Sequence, residues 1–148
     1  MIKKSIIFVV FLVSILVSST ALFGCSYITG EALTATPVII PEINNITPEQ
    51  ANSLLMISAY RIYFIDVRTP SEFADGHIDS AINIDLNSPD FISNIEKLDR
   101  DNVYIIYCRT GVRSAIASQI MVESGFLRIN NMTGGYLDWV DAGLPVEK

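Results

Sequence analysis

The chain has 148 residues, enough for one domain with a sizeable core plus a terminal extension. Ten basic residues face sixteen acidic ones for a formal charge of −6, and mean hydropathy is +0.40. The acidic balance, without any extended Lys/Arg cluster, excludes a nucleic-acid surface and acts mainly on solubility.

Met1–Lys4 supplies a positive start and Ser5–Phe23 an apolar run ending in small residues, the order of a secretory signal. Leu22-Phe23-Gly24-Cys25 resembles a bacterial lipobox, with Phe23 where a small residue is usual. The expectation is a signal peptide over 1–24, lipidation (palmitate included) at Cys25 as the mature N-terminus, and a tether over 25–42. The alternative is an uncleaved apolar helix nearly long enough to span a bilayer. Either way the domain, residues 43–148, is expected outside the cytoplasm and held to a membrane. Loss of Lys3 and Lys4 leaves eight basic residues and a charge of −8, and Cys108 becomes the single free thiol.

Thr47-Pro48-Glu49-Gln50 opens a helix: Thr47 suits the N-cap, Pro48 the first turn, and Gln50 completes a capping box. Leu54, Leu55 and Ile57 supply its apolar contacts through about Ser58. Arg61–Val67 reads as a strand, Pro70–Ala74 as a helical turn and Ser80–Ile84 as a short strand. Ser88-Pro89-Asp90 starts a further helix with Phe91, Ile92 and Ile95 inward. Val103–Tyr107 is a buried strand, and Ala115–Met121 a helix placing Ile116, Ile120 and Met121 on one face, closed at Gly125. Leu127–Met132 reads as the last strand, and Gly134–Ala142 as a helix with Tyr136, Trp139 and Val140 in the core. Strands alternating with helices predict an α/β fold, a parallel sheet covered on both faces.

Between the strand Val103–Tyr107 and its following helix lies Cys108-Arg109-Thr110-Gly111-Val112-Arg113. A strand's C-terminal end meeting a helix N-terminus is where open α/β folds bind ligands. There, unpaired amides and the helix dipole favour an anion. A cysteine so placed is drawn toward the thiolate, the form that attacks. Free cysteine is often simply buried, yet two arginines, a glycine and a helix start within six residues argue for an activated sulfur. The amides from Arg109 to Ser114 are then expected to cradle it, with Gly111 letting the loop curl. Asp66 and Arg68, near a strand end, read as a structural ion pair rather than catalytic groups. His77, the only histidine, is either structural or a general base. Thr133-Gly134-Gly135, after the strand Leu127–Met132, is expected to border the pocket.

CRTGVRS resembles the active-site loop of the rhodanese-like sulfurtransferases, Cys-Arg-x-Gly-x-Arg-Ser. Ile65–Phe73 with Gly76-His77-Ile78 upstream, and Gly134–Trp139 downstream, resemble that family in the same order. The resemblance implies the rhodanese-like α/β fold, with a central parallel sheet and helices on both faces. It implies Cys108 as the residue that carries sulfur as a persulfide. Arg109, Thr110, Gly111, Val112, Arg113 and Ser114 would then bind substrate, the arginines orienting an anionic donor such as thiosulfate. Asp66 and Arg68 would support the pocket. A thiol or a cyanide-like nucleophile is the expected acceptor, and no metal or organic cofactor is implied. A non-catalytic sulfur carrier or sensing module is the alternative. Related phosphatases use the longer Cys-x5-Arg loop, so the six-residue loop disfavours phosphatase or arsenate-reductase chemistry, because donors must lie about 2.7–3.1 Å from the oxygen they stabilise.

Overall fold

Residues 41–56 and 61–148 are described by a computed structural model, and all belong to the unit Thr36–Lys148. The signal segment, Cys25, the tether to residue 40, Ile57 and Ser58 lie outside the described residues. Among the described residues no helix is long and apolar enough to cross a membrane.

The first element was not expected from the sequence. Strand β1 (Glu42–Ile46) lies where the tether was to end. Its five residues include two asparagines and pair in parallel with β6 (Arg128–Met132). Helix α1 (Pro48–Leu55) follows, and its capping box closes in both directions: the Gln50 amide donates to Thr47 Oγ1 at 3.3 Å and the Thr47 amide to Gln50 Oε1 at 2.8 Å. Strand β2 (Ile62–Asp66) leads to α2 (Pro70–Ala74), which carries a second capping box from Thr69 and Glu72. The short strands β3 (His77–Ile78) and β4 (Ile82–Asn83) come next, then α3 (Phe91–Ile95). Strand β5 (Val103–Tyr107), helix α4 (Val112–Glu123), β6 and helix α5 (Gly135–Asp141) complete the alternation. The segment Leu127–Met132 does not end the strands, because β7 (Val146–Glu147) pairs antiparallel with β3.

The main sheet is parallel throughout, in the order β1-β6-β5-β2-β4. Strand β5 is central, and alternate residues feed two cores. Tyr104, Ile106 and Cys108 pack with Phe91 and Ile95 of α3 and with Ala117 and Met121 of α4. Ile105 and Tyr107 pack on the opposite face with Ala51 of α1 and Trp139 of α5. The chain runs from β2 out to the β4 edge and returns to β5 on the other side of β2. That reversal places the C-terminal ends of β2 and β5 together, the position where such sheets hold their sites.

Several faces differ from the hydropathy reading. Of the expected face of α4, Met121 is buried and Ile120 packs on the core, but Ile116 is 53 % exposed and the small Ser114, Ala117 and Ser118 are buried beside Met121. Small side chains let the helix lie close to the sheet, a choice that helical spacing alone does not reveal. Leu55, Ile92 and Val140 are likewise exposed, each on the outer side of a helix too short to bury more than one stripe. The expected strand Ser80–Ile84 reduces to β4, since only Ile82 and Asn83 pair with β2.

Candidate active site

The apolar run of β5 ends at Cys108, and the backbone then curls through Arg109 and Thr110 into α4. Gly111 is the N-cap residue, at φ 92°, a left-handed conformation costly for any residue with a Cβ. A Cβ there would also come within 3.1 Å of the Gly134 amide nitrogen. The curl aims main-chain donors at the sulfur: the Gly111 amide donates to Cys108 Sγ at 3.2 Å, and the amides of Thr110 and Ser114 reach the same atom. The Ser114 amide is one of the first-turn N–H groups with no carbonyl partner inside the helix. Cys108 is only 1 % exposed. Burial pushes its thiol up, but the Ser114 and Thr110 amides, the Ser114 hydroxyl and the Gly111 amide together outweigh burial, so its pKa lies below the ordinary value.

The loop is clamped from behind by α5. The Tyr136 amide donates to the Cys108 carbonyl at 2.8 Å and the Leu137 amide to the Arg109 carbonyl at 3.1 Å. Contact is so close that a Cβ on Gly135 would meet the Cys108 carbonyl oxygen at 2.4 Å. Thr133-Gly134-Gly135 therefore presses on the loop's backbone.

The two loop arginines are not equivalent. Arg113 forms a fork with Glu72 of α2, Nη1 to Oε2 at 2.9 Å and Nη2 to Oε1 at 2.8 Å, while its guanidinium also reaches the Cys108 sulfur. The Arg113 hydrogen bonds hold the Glu72 carboxyl down at about 2. Glu72 still caps α2, accepting from the Thr69 amide at 3.1 Å. Arg113 thus meets the sulfur with its charge balanced by Glu72. Arg109 is exposed and borders a pocket of about 160 Å³ with Arg68, Glu72, Asp75 and Leu137. Thr110 and Val112 are exposed beside the loop, whereas Ser114 is fully buried and contributes to the cradle from within.

Asp66 and Arg68 form the expected clamp. Arg68 Nε donates to both carboxylate oxygens, at 3.0 and 2.9 Å, and Nη2 to Oδ2 at 2.6 Å, with both residues buried. Arg68 Nη2 continues to the Gly76 carbonyl at 2.7 Å, and the guanidinium lies 4.1 Å from the Tyr136 ring. Burial disfavours the Arg68 charge, but Asp66 more than compensates and raises its pKa. His77 is engaged elsewhere: its ring stacks on Phe73 at 3.7 Å, and its Nε2 lies 3.6 Å from Glu147.

Sequence reasoning did not foresee Glu72, Asn131 or Asn45 at the site. Thr69-Pro70-Ser71-Glu72 carries a capping-box signature that announces the Thr69 contact, but nothing local announces Arg113, 41 positions away. Asn131 joins Ser114 to Asn45 through side-chain hydrogen bonds from β6 to α4 and β1.

The family model described as the rhodanese-like domain matches residues 47–142. The chain belongs to the rhodanese-like domain family. Rhodanese-like domain-containing protein 17 of Arabidopsis thaliana is 36 % identical over 127 residues, covering 77 % of this chain and 79 % of that protein. A protein of Allochromatium vinosum named sulfurtransferase is 38 % identical over 86 residues, covering 57 % of this chain and 78 % of its own. The crystal structure of a rhodanese-related protein from Thermoplasma volcanium matches with a TM-score of 0.62 at 27 % identity, over 70 % of this chain and 97 % of that one. The expected rhodanese-like α/β fold is the fold observed.

Proposed function

We propose that this rhodanese-like chain is a sulfurtransferase whose Cys108 carries the sulfur, held to the outer side of a membrane by lipid at Cys25. The observation that carries the reading is the sulfur itself, set under the Thr110, Gly111 and Ser114 amides with its pKa lowered. The Cys108 thiolate attacks the outer sulfur of a donor such as thiosulfate. The S–S bond of the donor breaks, sulfite leaves with the electron pair, and Cys108 becomes a persulfide anion. A nucleophile such as cyanide or a thiolate then attacks the terminal sulfur, and Cys108 leaves as the thiolate. Two displacements through one covalent intermediate predict ping-pong kinetics. The amides favour the persulfide anion as they favour the thiolate, and each well-aimed donor contributes roughly 3 kcal/mol to such stabilisation. Arg109 supplies charge toward an anionic donor, and Arg113 steadies the sulfur.

The test is to incubate the full chain with thiosulfate and cyanide and measure thiocyanate. Turnover lost in Cys108→Ala, with a persulfide mass adduct on the wild type, supports the reading; equal turnover in both and no adduct would refute it. Palmitate labelling that disappears in Cys25→Ala tests the anchor separately. The 1 % exposure of Cys108 favours a second reading, a carrier that shields its persulfide. An adduct that survives dialysis with negligible turnover would select the carrier.

A further inference from the structure

The pocket of about 160 Å³ beside the reactive loop takes its walls from β2, α2, the loop itself and α5. Two of its residues adjoin the sulfur's own contacts: Arg109 follows Cys108 in the chain, and Glu72 holds Arg113, whose guanidinium reaches the Cys108 sulfur. The charges lining it do not all balance. Arg68 is matched by Asp66 and covered by the Tyr136 ring, and Glu72 is matched by Arg113. That leaves one carboxylate, Asp75, and one guanidinium, Arg109, both exposed and neither in an ion pair among the described residues. Asp75 is moreover the C-cap of α2, the end of a helix where a negative charge is disfavoured, so its charge does not serve the helix.

We infer that this pocket seats the sulfur acceptor, a zwitterionic α-amino thiol whose ammonium meets Asp75 and whose carboxylate meets Arg109. The inference rests on the sulfurtransferase reading and names the acceptor class for it. A volume of about 160 Å³ is well below the roughly 300 Å³ at which sites for drug-sized ligands begin, which suits a single amino acid rather than a peptide thiol. An anionic donor such as thiosulfate has nothing to offer Asp75, so the pair of opposite charges selects the acceptor half-reaction. The acceptor thiol loses its proton to water, and its thiolate attacks the terminal sulfur of the Cys108 persulfide anion. The S–S bond to Cys108 breaks, its electron pair stays on Cys108, and the transferred sulfur departs as the acceptor's persulfide anion.

Occupancy is read first, without any sulfur transfer. L-Serine puts an unreactive hydroxyl in place of the thiol. Titrated into the isotope-labelled full chain by NMR, it is expected to shift the backbone amides of Gly76, Arg109 and Leu137, with half-saturation on the order of 1 mM. Asp75→Asn raises that midpoint about 10-fold, the worth of one charge-assisted contact. Transfer is read by loading Cys108 from thiosulfate and timing the loss of the persulfide mass adduct. L- and D-cysteine share one thiol pKa and one charge, so a difference between their rates belongs to the site. The wild type is expected to distinguish them about 10-fold, and Asp75→Asn to bring the two rates within about 2-fold of each other. A wild type that takes serine but never loads would refute the transfer reading while leaving the amino-acid site in place. An adduct that cyanide discharges, with equal rates for the two cysteines or without the serine shifts, would overturn this inference and leave the transfer reading intact.

Discussion

Replacing Glu72 by Gln isolates the ion pair that joins α2 to the active loop. Glutamine keeps the length of the side chain and an oxygen for the Thr69 amide, so the capping box survives; what is lost is the charge facing Arg113. The shift of the Glu72 carboxyl from 4.5 to about 2 sets a ceiling of about 3 kcal/mol on the stabilisation, at about 1.4 kcal/mol per pH unit. Both side chains are partly exposed, at 28 % and 27 %, and solvent screening brings the expected loss down to about 1–2 kcal/mol. In a domain of this size that lowers the melting temperature by on the order of 5–10 °C. Because the folded carboxyl is depressed, its contribution is complete above 4.5 and disappears as the pH falls through about 2. Urea unfolding of wild type and Glu72→Gln, followed by circular dichroism at descending pH, reads the gap directly. A gap absent at neutral pH, or one that stays constant down to the acid limit, would refute the assignment.

Other positions give equally definite outcomes. Asp66→Asn leaves the Arg68 guanidinium buried beside a neutral amide, and stability in urea is expected to fall by about 3–5 kcal/mol. Ser118 has a fully buried hydroxyl without a hydrogen-bond partner among the described residues; Ser118→Ala is expected to stabilise by about 1 kcal/mol, and a fall in the urea midpoint would contradict this. Gly135→Ala forces a methyl against the Cys108 and Arg109 carbonyls, displacing the cradle, and thiocyanate formation is expected to drop about 100-fold while circular dichroism still reports the fold.

The reactive loop was legible because its information is local. Apolar β5, Cys108, the left-handed Gly111 and the amides opening α4 follow one another along the chain, and the Thr47–Gln50 box closes within one turn. The unread parts are those written across the fold. β1 offers two asparagines and two isoleucines in five residues, a pattern without a strand signature until β6 lies beside it. Ser114 meets Asn131 17 positions away, and Asn131 meets Asn45 86 positions away. Ile116 falls outside the inward face of α4 for a related reason: periodicity identifies a stripe by its largest apolar members. Here the sheet takes Ser114, Ala117 and Ser118 along with Met121 and leaves Ile116 outside.

The grip of α5 on the loop gives the domain an order of maturation. Cys108 emerges from the ribosome well before Gly135, yet the carbonyls of Cys108 and Arg109 find their amide partners only when the Tyr136 and Leu137 turn has formed. A nascent or clipped chain ending at β6 contains every atom of the CRTGVRS loop and still lacks the brace that fixes its shape. The shape of the loop is thus completed only when α5 is in place.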